Sequence, residues 1–335
     1  MVLEYKEFER PALQAFVAQV PNDKKHRLAK SFPVEQVDEI TSAYNLITNN
    51  KIVAGSIIGF NAGTPVRTKG EAEQAIAKLT KIAHAHHLDD EEMYKFQNPR
   101  NEEERQRIID ATLVSTGDLA KGIDDTKELI RAELTYRGRF FYEDKRDNVK
   151  LEYKVDRPEG NDINVANVWS DVATSTPLDD IEAAIEQYKK TNGNQKPGYI
   201  VMNEATYALF KRSEQVKAEF AVNGNSPRIV RDGDVTELFQ SNSYPTLEIE
   251  EDYTTFENED GTLYDVPHLE DGKVILHAEI MGSTLSGPAA ENGFKKGKFA
   301  YAKVEEDPPA EKTVVGEVTL PVSKNYNGNV IMTVL

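Results

Sequence analysis

The sequence predicts an α+β protein built from two units and a projecting N-terminal arm, and three observations carry this prediction. Residues 101–137 repeat apolar side chains at mostly three- or four-residue spacing, which indicates one very long helix. Alternating runs rich in β-branched and aromatic residues follow it and return at the end of the chain, which indicates strands. Between them, a helix, a buried-strand run and a second helix indicate a compact second unit.

The first ninety residues are predicted to form an arm, a strand and a loop. Three prolines interrupt residues 1–50, so this segment is predicted to be extended with short helical pieces. The β-branched run 52–60 predicts a strand, and glycine and proline punctuate the residues up to 70. Residues 71–88 are ambiguous, because helix-forming residues and apolar residues at helical spacing favour a helix there on local grounds.

The long helix 101–137 has the end residues that helices prefer. Asn101 can cap its first turn, three glutamates follow at once, and Arg131 and Arg137 lie near its far end, as the helix dipole favours. Its apolar stripe consists of Ile109, Leu113, Ala120, Ile123, Ile130 and Leu134. A helix of this length would extend roughly 55 Å, so it needs a large flat partner.

Strands are predicted on both sides of the compact unit. Residues 139–142 and 149–155 alternate as two strands with a charged turn between them. Residues 313–315 and 330–334 are predicted closing strands. The proline pair 308–309 is predicted to end the compact unit.

The compact unit begins with a well-defined helix start. Pro177 is predicted at the first helical position with Thr176 as the cap, and this helix is predicted to end before Gly193. Residues 198–202 then predict a buried strand, and Asn203 is predicted to cap the next helix.

Composition excludes several classes of protein. The chain has 335 residues, with 40 Lys and Arg against 57 Asp and Glu, and the resulting net charge of −17 argues against a general nucleic-acid binder. It has no cysteine, which excludes disulfides, a thiolate nucleophile, iron–sulfur clusters and cysteine-ligated zinc. The longest nearly apolar run, residues 52–60, is far shorter than the about 20 residues of a membrane span. Because no signal-peptide pattern opens the chain, we expect an intracellular protein.

The histidines at 84, 86 and 87, with the carboxylates at 89–92, are the first candidate for a metal site. On a helix, His84 and His87 would share a face and carboxylates would lie nearby. The segment lacks the H-E-x-x-H arrangement, and no ligand spacing recurs elsewhere. A solvated polar stretch is therefore the preferred interpretation, and no metal ligand is assigned.

The acidic run 248–271 is the second candidate for a cation site, with ten carboxylates and no Lys or Arg. If Gly261 occupied the sixth position of a calcium loop, Phe256 would occupy the first, where the loop needs Asp or Asn. The pair Asp260-Gly261 between apolar residues is instead typical of a hairpin turn. An exposed acidic hairpin is therefore predicted.

Phosphate-binding and catalytic motifs are missing from the sequence. Gly297-Lys298 is followed by Phe299 rather than Ser or Thr, and Gly282–Gly287 lacks the spacing of a nucleophile elbow. Two basic clusters could contact an anionic partner, although a solvated surface is the preferred interpretation of both: Lys295, Lys296 and Lys298, and Lys24, Lys25, Arg27 and Lys30. No catalytic or cofactor-binding residue is assigned, no cofactor is expected, and the protein is predicted not to be an enzyme.

Several short segments occur in a characteristic order along most of the chain. They are residues 10–13 and 16–17, 52–62, 67–71, 79–82, 98–100, the long helix, Trp169-Ser170-Asp171, 176–181 and 197–209. In this order they resemble the tailed-phage major capsid proteins of the lambda-type E family, which share the Hong Kong 97-type fold. No single segment is diagnostic, because the family has no catalytic signature.

The resemblance implies a division of the chain. Residues 1–50 would be the N-terminal arm and 51–90 a strand and extended loop lying over a neighbouring subunit. Residues 91–171 plus 306–335 would be the peripheral domain with the spine helix 101–137, and residues 172–305 the axial domain. Residues 71–88 would then belong to a β-hairpin arm, stabilised by contacts between subunits rather than by local propensity.

The resemblance also implies a function. The protein would be the major capsid protein of a tailed bacteriophage, assembling as hexamers and pentamers into the icosahedral head that encloses double-stranded DNA without sequence-specific binding. A separate scaffolding protein, a portal, and decoration or head-completion proteins would be partners. The protein would be found in the virion, after assembly in the host cytoplasm. Lys69 and Lys78 lie in the loop that some relatives crosslink, but no partner asparagine is assigned.

Two alternatives remain open at this point. An encapsulin-like nanocompartment shell shares the fold and would enclose enzyme cargo rather than DNA. A metal-dependent enzyme would use the His84–His87 cluster and would retain metal on purification.

Overall fold

The structure is a computed structural model, and it describes residues 5–22, 24–47, 74–88, 90–144, 149–221, 229–258, 260–306 and 309–335. The predicted strand 52–60, the loop up to 70 and most of the charged turn after residue 144 lie outside the described residues. By packing, the chain divides into unit 1 (Met1–Ala43, Ile76–Arg131, Gly282–Val322) and unit 2 (Tyr44–Ala75, Ala132–Met281, Ser323–Leu335).

The described residues form seven α-helices. They are α1 (Arg10–Gln19), α2 (Asp90–Gln97), α3 (Glu102–Ala132), α4 (Pro177–Thr191), α5 (Glu204–Arg212), α6 (Glu214–Glu219) and α7 (Asp232–Ser241). A π-helical turn, Glu133–Arg137, continues α3.

The strands alternate with these helices. They are β1 (Val34–Gln36), β2 (Thr41–Asn45), β3 (Gln74–Lys78), β4 (Thr80–Leu88), β5 (Arg139–Asp144), β6 (Val149–Lys154), β7 (Asp162–Asn164), β8 (Tyr199–Met202), β9 (Thr246–Ile249), β10 (Tyr253–Glu257), β11 (Leu263–Pro267), β12 (Lys273–His277), β13 (Gly282–Ser286), β14 (Pro288–Ala289), β15 (Lys295–Lys296), β16 (Phe299–Glu306), β17 (Pro309–Ser323) and β18 (Asn329–Thr333).

Unit 1 is organised around the long strand β17. Its sheet has the order β1-β13-β17-β16, and β4 also pairs with β17 in antiparallel register. Gly316 of β17 lies where a Cβ atom would approach Phe299 to 2.5 Å and Ala83 to 3.0 Å, so only glycine fits between these neighbours. Residues 80–88 are therefore strand, as the family resemblance implies, and the helix favoured by local spacing is wrong. Their partner is β17 of the same chain, whereas the resemblance implies an arm stabilised by contacts between subunits. Pairing along β17 outweighs helix propensity.

The arm prediction is corrected for the described part of residues 5–32. Its short helical pieces are confirmed by α1, but the segment does not project: Phe8, Leu13 and Val17 are buried in the core of unit 1. They pack there with residues of α3 such as Ile123. The prolines therefore mark short helical segments, while the apolar residues between them bury the chain.

The long helix is confirmed, and its prediction was accurate at both ends. The Glu104 backbone N–H donates to Asn101 Oδ1 at 2.8 Å, so Asn101 caps the first turn. The π-helical turn reaches Arg137, and Gly138 ends it with a positive φ of 69°. The predicted apolar stripe is buried or partly buried in this helix.

Unit 2 contains a five-stranded sheet with the order β7-β18-β12-β8-β9. The carboxyl-terminal strand β18 lies inside this sheet, antiparallel to β12 and parallel to β7. Trp169 and Phe210 are fully buried in its core, with the apolar faces of α4, α5 and α7. Burial of these side chains is the main stabilisation of the unit.

The helix caps of unit 2 were predicted with mixed success. Pro177 is the first residue of α4, and Asn203 Oδ1 accepts from the Thr206 N–H at 2.9 Å. Thr176 occupies the N-cap position as predicted, but its side chain makes no capping bond. The first helical position is a proline without an N–H, and the Leu178 N–H donates to Gln215 Oε1 at 2.9 Å instead.

Several predicted strands and turns are confirmed. β5 pairs with β6, and β10 pairs with β11 across the Asp260-Gly261 turn.

The proline pair 308–309 does not end a unit, contrary to the prediction. Pro309 begins β17 opposite Glu306 of β16, within unit 1. The boundaries of the two packing units thus differ from those of the arm, peripheral domain and axial domain that the resemblance implies. These three domains describe positions in a shell and remain predictions.

Candidate assembly surfaces

The histidine cluster lies on β4 rather than on a helix. Successive strand residues point to opposite faces, so His84 and His86 share one face and His87 lies on the other. The His86 ring nitrogen is 3.0 Å from the Ser115 carbonyl oxygen of α3. Loss of surrounding water and the neighbouring His86 ring lower the pKa of His84. The expectation that His84 and His87 share a face is therefore wrong.

Potential metal ligands do not come together at the histidines or at any other place in the part of the chain that the structure describes. No group of three His, Asp or Glu side chains is close enough to hold an ion among these residues. The acidic run 248–271 is instead spread over β10, β11 and their flanking segments. That no residue serves a catalytic, metal or cofactor site remains a prediction.

The hairpin of β10 and β11 is a two-stranded sheet of its own. Register places Tyr253, Glu257, Leu263 and Asp265 on one face, which we call the acidic hairpin face. Leu263 is 69% and Tyr253 52% exposed. A two-stranded hairpin is at best marginally stable in water, so exposed apolar side chains here favour a contact with another molecule.

Three cations of the basic clusters pair with carboxylates of unit 1. Lys24 lies 2.6 Å from Asp125, Lys296 lies 2.6 Å from Asp38, and Lys298 lies 2.8 Å from Asp124. Lys24 remains exposed, as the preferred interpretation of a solvated surface predicts, whereas Lys296 and Lys298 are only partly exposed. All three are ion-paired within the chain.

The pairs of Lys24 and Lys298 belong to a polar network along α3. Burial opposes ionisation of Asp124, but Lys127 and Lys298 overcome it and lower the pKa of this carboxyl. Burial likewise opposes ionisation of Asp125, and His26 and Lys24 overcome it, so its pKa is also lowered. Both carboxylates therefore bind the segments that pack on α3 more tightly when they are charged.

A buried ion pair completes this network. Glu128 and Arg131, both nearly inaccessible, are 2.8 Å apart on α3. Glu128 Oε1 also accepts from the Leu28 N–H at 2.6 Å, and the Arg131 guanidinium donates to Thr284 Oγ1. The pair therefore connects the amino-terminal segment, α3 and β13 within unit 1.

Sequence reasoning missed a cationic cleft in unit 2. The π-helical turn, the bases of β5 and β6, β7 and the segment before β12 line it. Its cations are Arg137, Arg139, Lys154, Arg157 and Lys273. These residues are scattered between positions 137 and 273, so only the pairing of β5 with β6 and the sheet of unit 2 bring them together. Gly138 allows the close approach, since a Cβ there would lie 2.6 Å from Arg157 Nε.

The hairpin of β5 and β6 also exposes apolar side chains. Phe141 is 48% and Tyr142 40% exposed, and Lys150 lies over the Phe141 ring at 5.6 Å. Of the two candidate loop lysines, Lys69 lies outside the described residues and Lys78 ends the exposed strand β3. No helix in the described residues combines the length and apolar character that crossing a membrane requires.

A family model described as phage major capsid protein E matches residues 15–334 of the chain. No match to the sequence is found among curated proteins.

Solved structures with the same fold are similar over almost the whole chain. One from Escherichia coli CFT073 is described as a prophage capsid protein; it is 14% identical, with 96% of this chain and 97% of that chain covered and a TM-score of 0.59. A phage-related protein from Bordetella bronchiseptica RB50 is 11% identical, with 96% of each chain covered and a TM-score of 0.55. An encapsulin complex from Synechococcus elongatus PCC 7942 is 12% identical over 95% of this chain and 91% of that chain, with a TM-score of 0.44, too low to support an argument.

Proposed function

Because the chain belongs to the phage major capsid protein E family and has the Hong Kong 97-type fold, we propose that it self-assembles as hexamers and pentamers into the icosahedral head of a tailed bacteriophage. The observation that carries this proposal is the family match over residues 15–334. It covers both packing units, so the whole chain rather than one domain corresponds to a major capsid protein.

The surface chemistry supports an assembling subunit. Two exposed hairpins, β5–β6 and β10–β11, present aromatic and aliphatic side chains that a monomer would leave in water. Apolar patches of this kind are typical of interaction sites. The net charge of −17 fits a shell whose inner wall repels packaged double-stranded DNA and binds no particular sequence.

The remaining features of the function follow from this role. The protein is located in the virion, after assembly in the host cytoplasm, and it has no catalytic activity. Its partners are copies of itself, a separate scaffolding protein, a portal, and decoration or head-completion proteins.

Negative-stain electron microscopy of the purified protein, alone and co-expressed with its gene neighbours, tests the proposal. We expect closed shells, tubes or rings of capsomers. Small closed particles that contain an enzyme cargo when the chain is expressed alone would instead indicate an encapsulin-like compartment. A strictly monomeric protein in every condition would contradict both shell functions.

Metal analysis of the same preparation tests the structural role separately. We expect no zinc, iron or manganese to copurify in proportion to the protein. A stoichiometric metal that is lost when His84 and His86 are changed to alanine would contradict a purely structural protein.

A further inference from the structure

The cationic cleft of unit 2 has more positive charge than its own carboxylates neutralise. It has a volume of about 370 Å³, and the described residues that line it include the five cations named above but only two carboxylates, Asp162 and Glu270. Arg157 Nη2 donates to Asp162 Oδ2 at 2.9 Å, and Arg157 Nη1 lies 2.8 Å from Asp162 Oδ1. Arg137 binds Glu270 at 3.2 Å and also contacts Glu133. Both lining carboxylates are therefore already paired with arginines of the cleft.

Three cations remain without a carboxylate partner in the described part of the chain. Arg139 and Lys154 are exposed and have no carboxylate within ion-pair distance there, while Lys273 Nζ donates to the neutral Thr333 hydroxyl at 2.7 Å. The Arg137 Nε–H is buried without an acceptor among the same residues. Such groups favour a bound anion.

Strand register shows that two of these unpaired cations face each other. Arg139 and Lys154 are direct partners across β5 and β6, so two like charges face each other. Like charges at this position destabilise a strand pair. At the other end of the same hairpin, Glu143 and Lys150 are partners with opposite charge. A carboxylate placed between Arg139 and Lys154 would convert the unfavourable pair into a favourable one.

The acidic hairpin face is the matching surface on the same chain. Glu257 and Asp265 lie there on neighbouring strands, with exposed Leu263 beside them. Neither carboxylate has a cation partner in the described residues, although Asp265 accepts from the Thr255 hydroxyl at 2.6 Å. The cleft is lined by residues 268–270, just after this hairpin, but the hairpin's own strands do not line it. In this structure the carboxylates of the face therefore do not occupy the cleft of their own chain.

We propose that the cleft of one copy binds the acidic hairpin face of a neighbouring copy, with Glu257 and Asp265 accepting hydrogen bonds from Arg139 and Lys154. This inference rests on the proposed self-assembly and names one contact within it. The two surfaces are different parts of one chain, so the contact is head-to-tail. Head-to-tail contacts close into rings when the rotation allows, as hexamers and pentamers require.

The chemistry of the acidic hairpin face favours a protein carboxylate over a nucleic-acid phosphate as the occupant. A second copy has the same net charge of −17, so overall charge does not favour it, and the attraction must come from local pairing of its carboxylates with the cleft cations. The exposed Leu263 and Tyr253 beside the two carboxylates would be covered in the same contact.

Reversal of charge on each surface tests the contact. The cleft variant is Arg139→Glu with Lys154→Glu, the hairpin variant is Glu257→Lys with Asp265→Lys, and the combined variant has all four changes. Like-charge juxtaposition at an interface should lower the assembled fraction at least about tenfold in each two-residue variant. The combined variant restores opposite charges, so assembly should return towards the unmodified level.

A matched control separates this contact from a general effect of charge. Lys190→Glu with Arg212→Glu makes the same change in net charge as the cleft variant, at two exposed positions of unit 2, and should assemble normally. Circular dichroism and thermal unfolding of dissociated subunits should show that every variant folds.

The outcomes distinguish this inference from the proposed function. If the unmodified protein never assembles, the proposed function fails. If it assembles and the cleft variant assembles equally well, the cleft contact is wrong. Loss of assembly without recovery in the combined variant would also overturn it. So would binding of a short DNA duplex that the cleft variant alone loses, because the cleft would then hold phosphate.

A disulfide crosslink gives an independent readout, because the chain has no cysteine of its own. Lys154→Cys and Leu263→Cys in one chain, treated with a mild oxidant in assembled particles, should give a ladder of covalent multimers on non-reducing gels. Particles mixed from the two single variants should give dimers and no longer multimers. Particles that yield only monomer bands would contradict the contact.

Discussion

The acidic side chains of unit 1 and those of the unit 2 hairpin have opposite roles. On α3, Asp124, Asp125 and Glu128 each bind a cation of the same chain. On the acidic hairpin face, Glu257 and Asp265 have no such partner in the described residues. Charge in unit 1 thus fixes the fold of one subunit, whereas charge on the hairpin is left for contacts between subunits. Changes in the first should affect stability, and changes in the second should affect assembly.

The largest effect is expected from breaking the buried ion pair of unit 1. Glu128→Ala leaves Arg131 buried without its carboxylate, so we expect dissociated subunits to lose about 3–5 kcal/mol of unfolding free energy. Urea unfolding measures this loss. Glu103→Ala removes an exposed carboxylate from the first turn of the same helix and should cost less than about 1 kcal/mol. Equal effects of the two changes would contradict the role given to the buried pair.

A second pair of substitutions compares a core position with the hairpin. Ile123 is fully buried in unit 1, and Ile123→Ala should cost about 2–5 kcal/mol because it leaves a cavity. Leu263 is 69% exposed, and Leu263→Ala should change subunit stability by less than about 0.5 kcal/mol. Assembly, followed by sedimentation, should nevertheless decrease for Leu263→Ala. If Leu263→Ala lowered subunit stability without reducing assembly, Leu263 would stabilise its own subunit rather than a contact between subunits.

Helix capping in unit 2 gives a smaller effect. Asn203→Ala removes the bond to the Thr206 N–H and should cost about 1 kcal/mol. Thr176→Ala should cost close to nothing, since the Thr176 side chain makes no capping bond. Thermal unfolding of dissociated subunits measures both. A larger loss for Thr176 than for Asn203 would show that the Thr176 hydroxyl does cap α4.

The smallest effect is expected from titration of the partly exposed Asp125. Its pKa lies below the ordinary value of 3.8, so its contribution to stability is present above that value and lost as pH falls through the lower folded pKa. Unfolding between about pH 6 and about pH 3 should therefore show less acid destabilisation in Asp125→Asn than in the unmodified subunit. Identical pH profiles would indicate that Lys24 and His26 do not hold this carboxylate.

Local sequence signals predicted most elements but not the arrangement of residues 80–88. The 101–137 helix, the caps at Asn101 and Asn203, and the Asp260-Gly261 hairpin all depend on neighbours in sequence, and the structure confirms them. Residues 80–88 become a strand because they pair with β17, which lies more than two hundred residues later in the sequence. Local propensity cannot indicate a partner at that separation. The family resemblance, in contrast, implied β-structure for this segment.

The assembly surfaces were predictable only in part. The acidic run 248–271 was visible as a hairpin, because turn residues and apolar neighbours lie together in sequence. The cationic cleft was not, because its charges become adjacent only when Arg139 is placed opposite Lys154 and Lys273 enters the sheet of unit 2. Strand register, rather than composition, is the signal that identifies this surface.

The most direct test is a cryo-electron microscopy reconstruction of the assembled particle. We expect closed shells in which Glu257 and Asp265 of each subunit lie within hydrogen-bond distance of Arg139 and Lys154 of its neighbour in the same ring. A shell in which the acidic hairpin face points to solvent and the cleft is empty would contradict the division between self-contained charge in unit 1 and inter-subunit charge in unit 2.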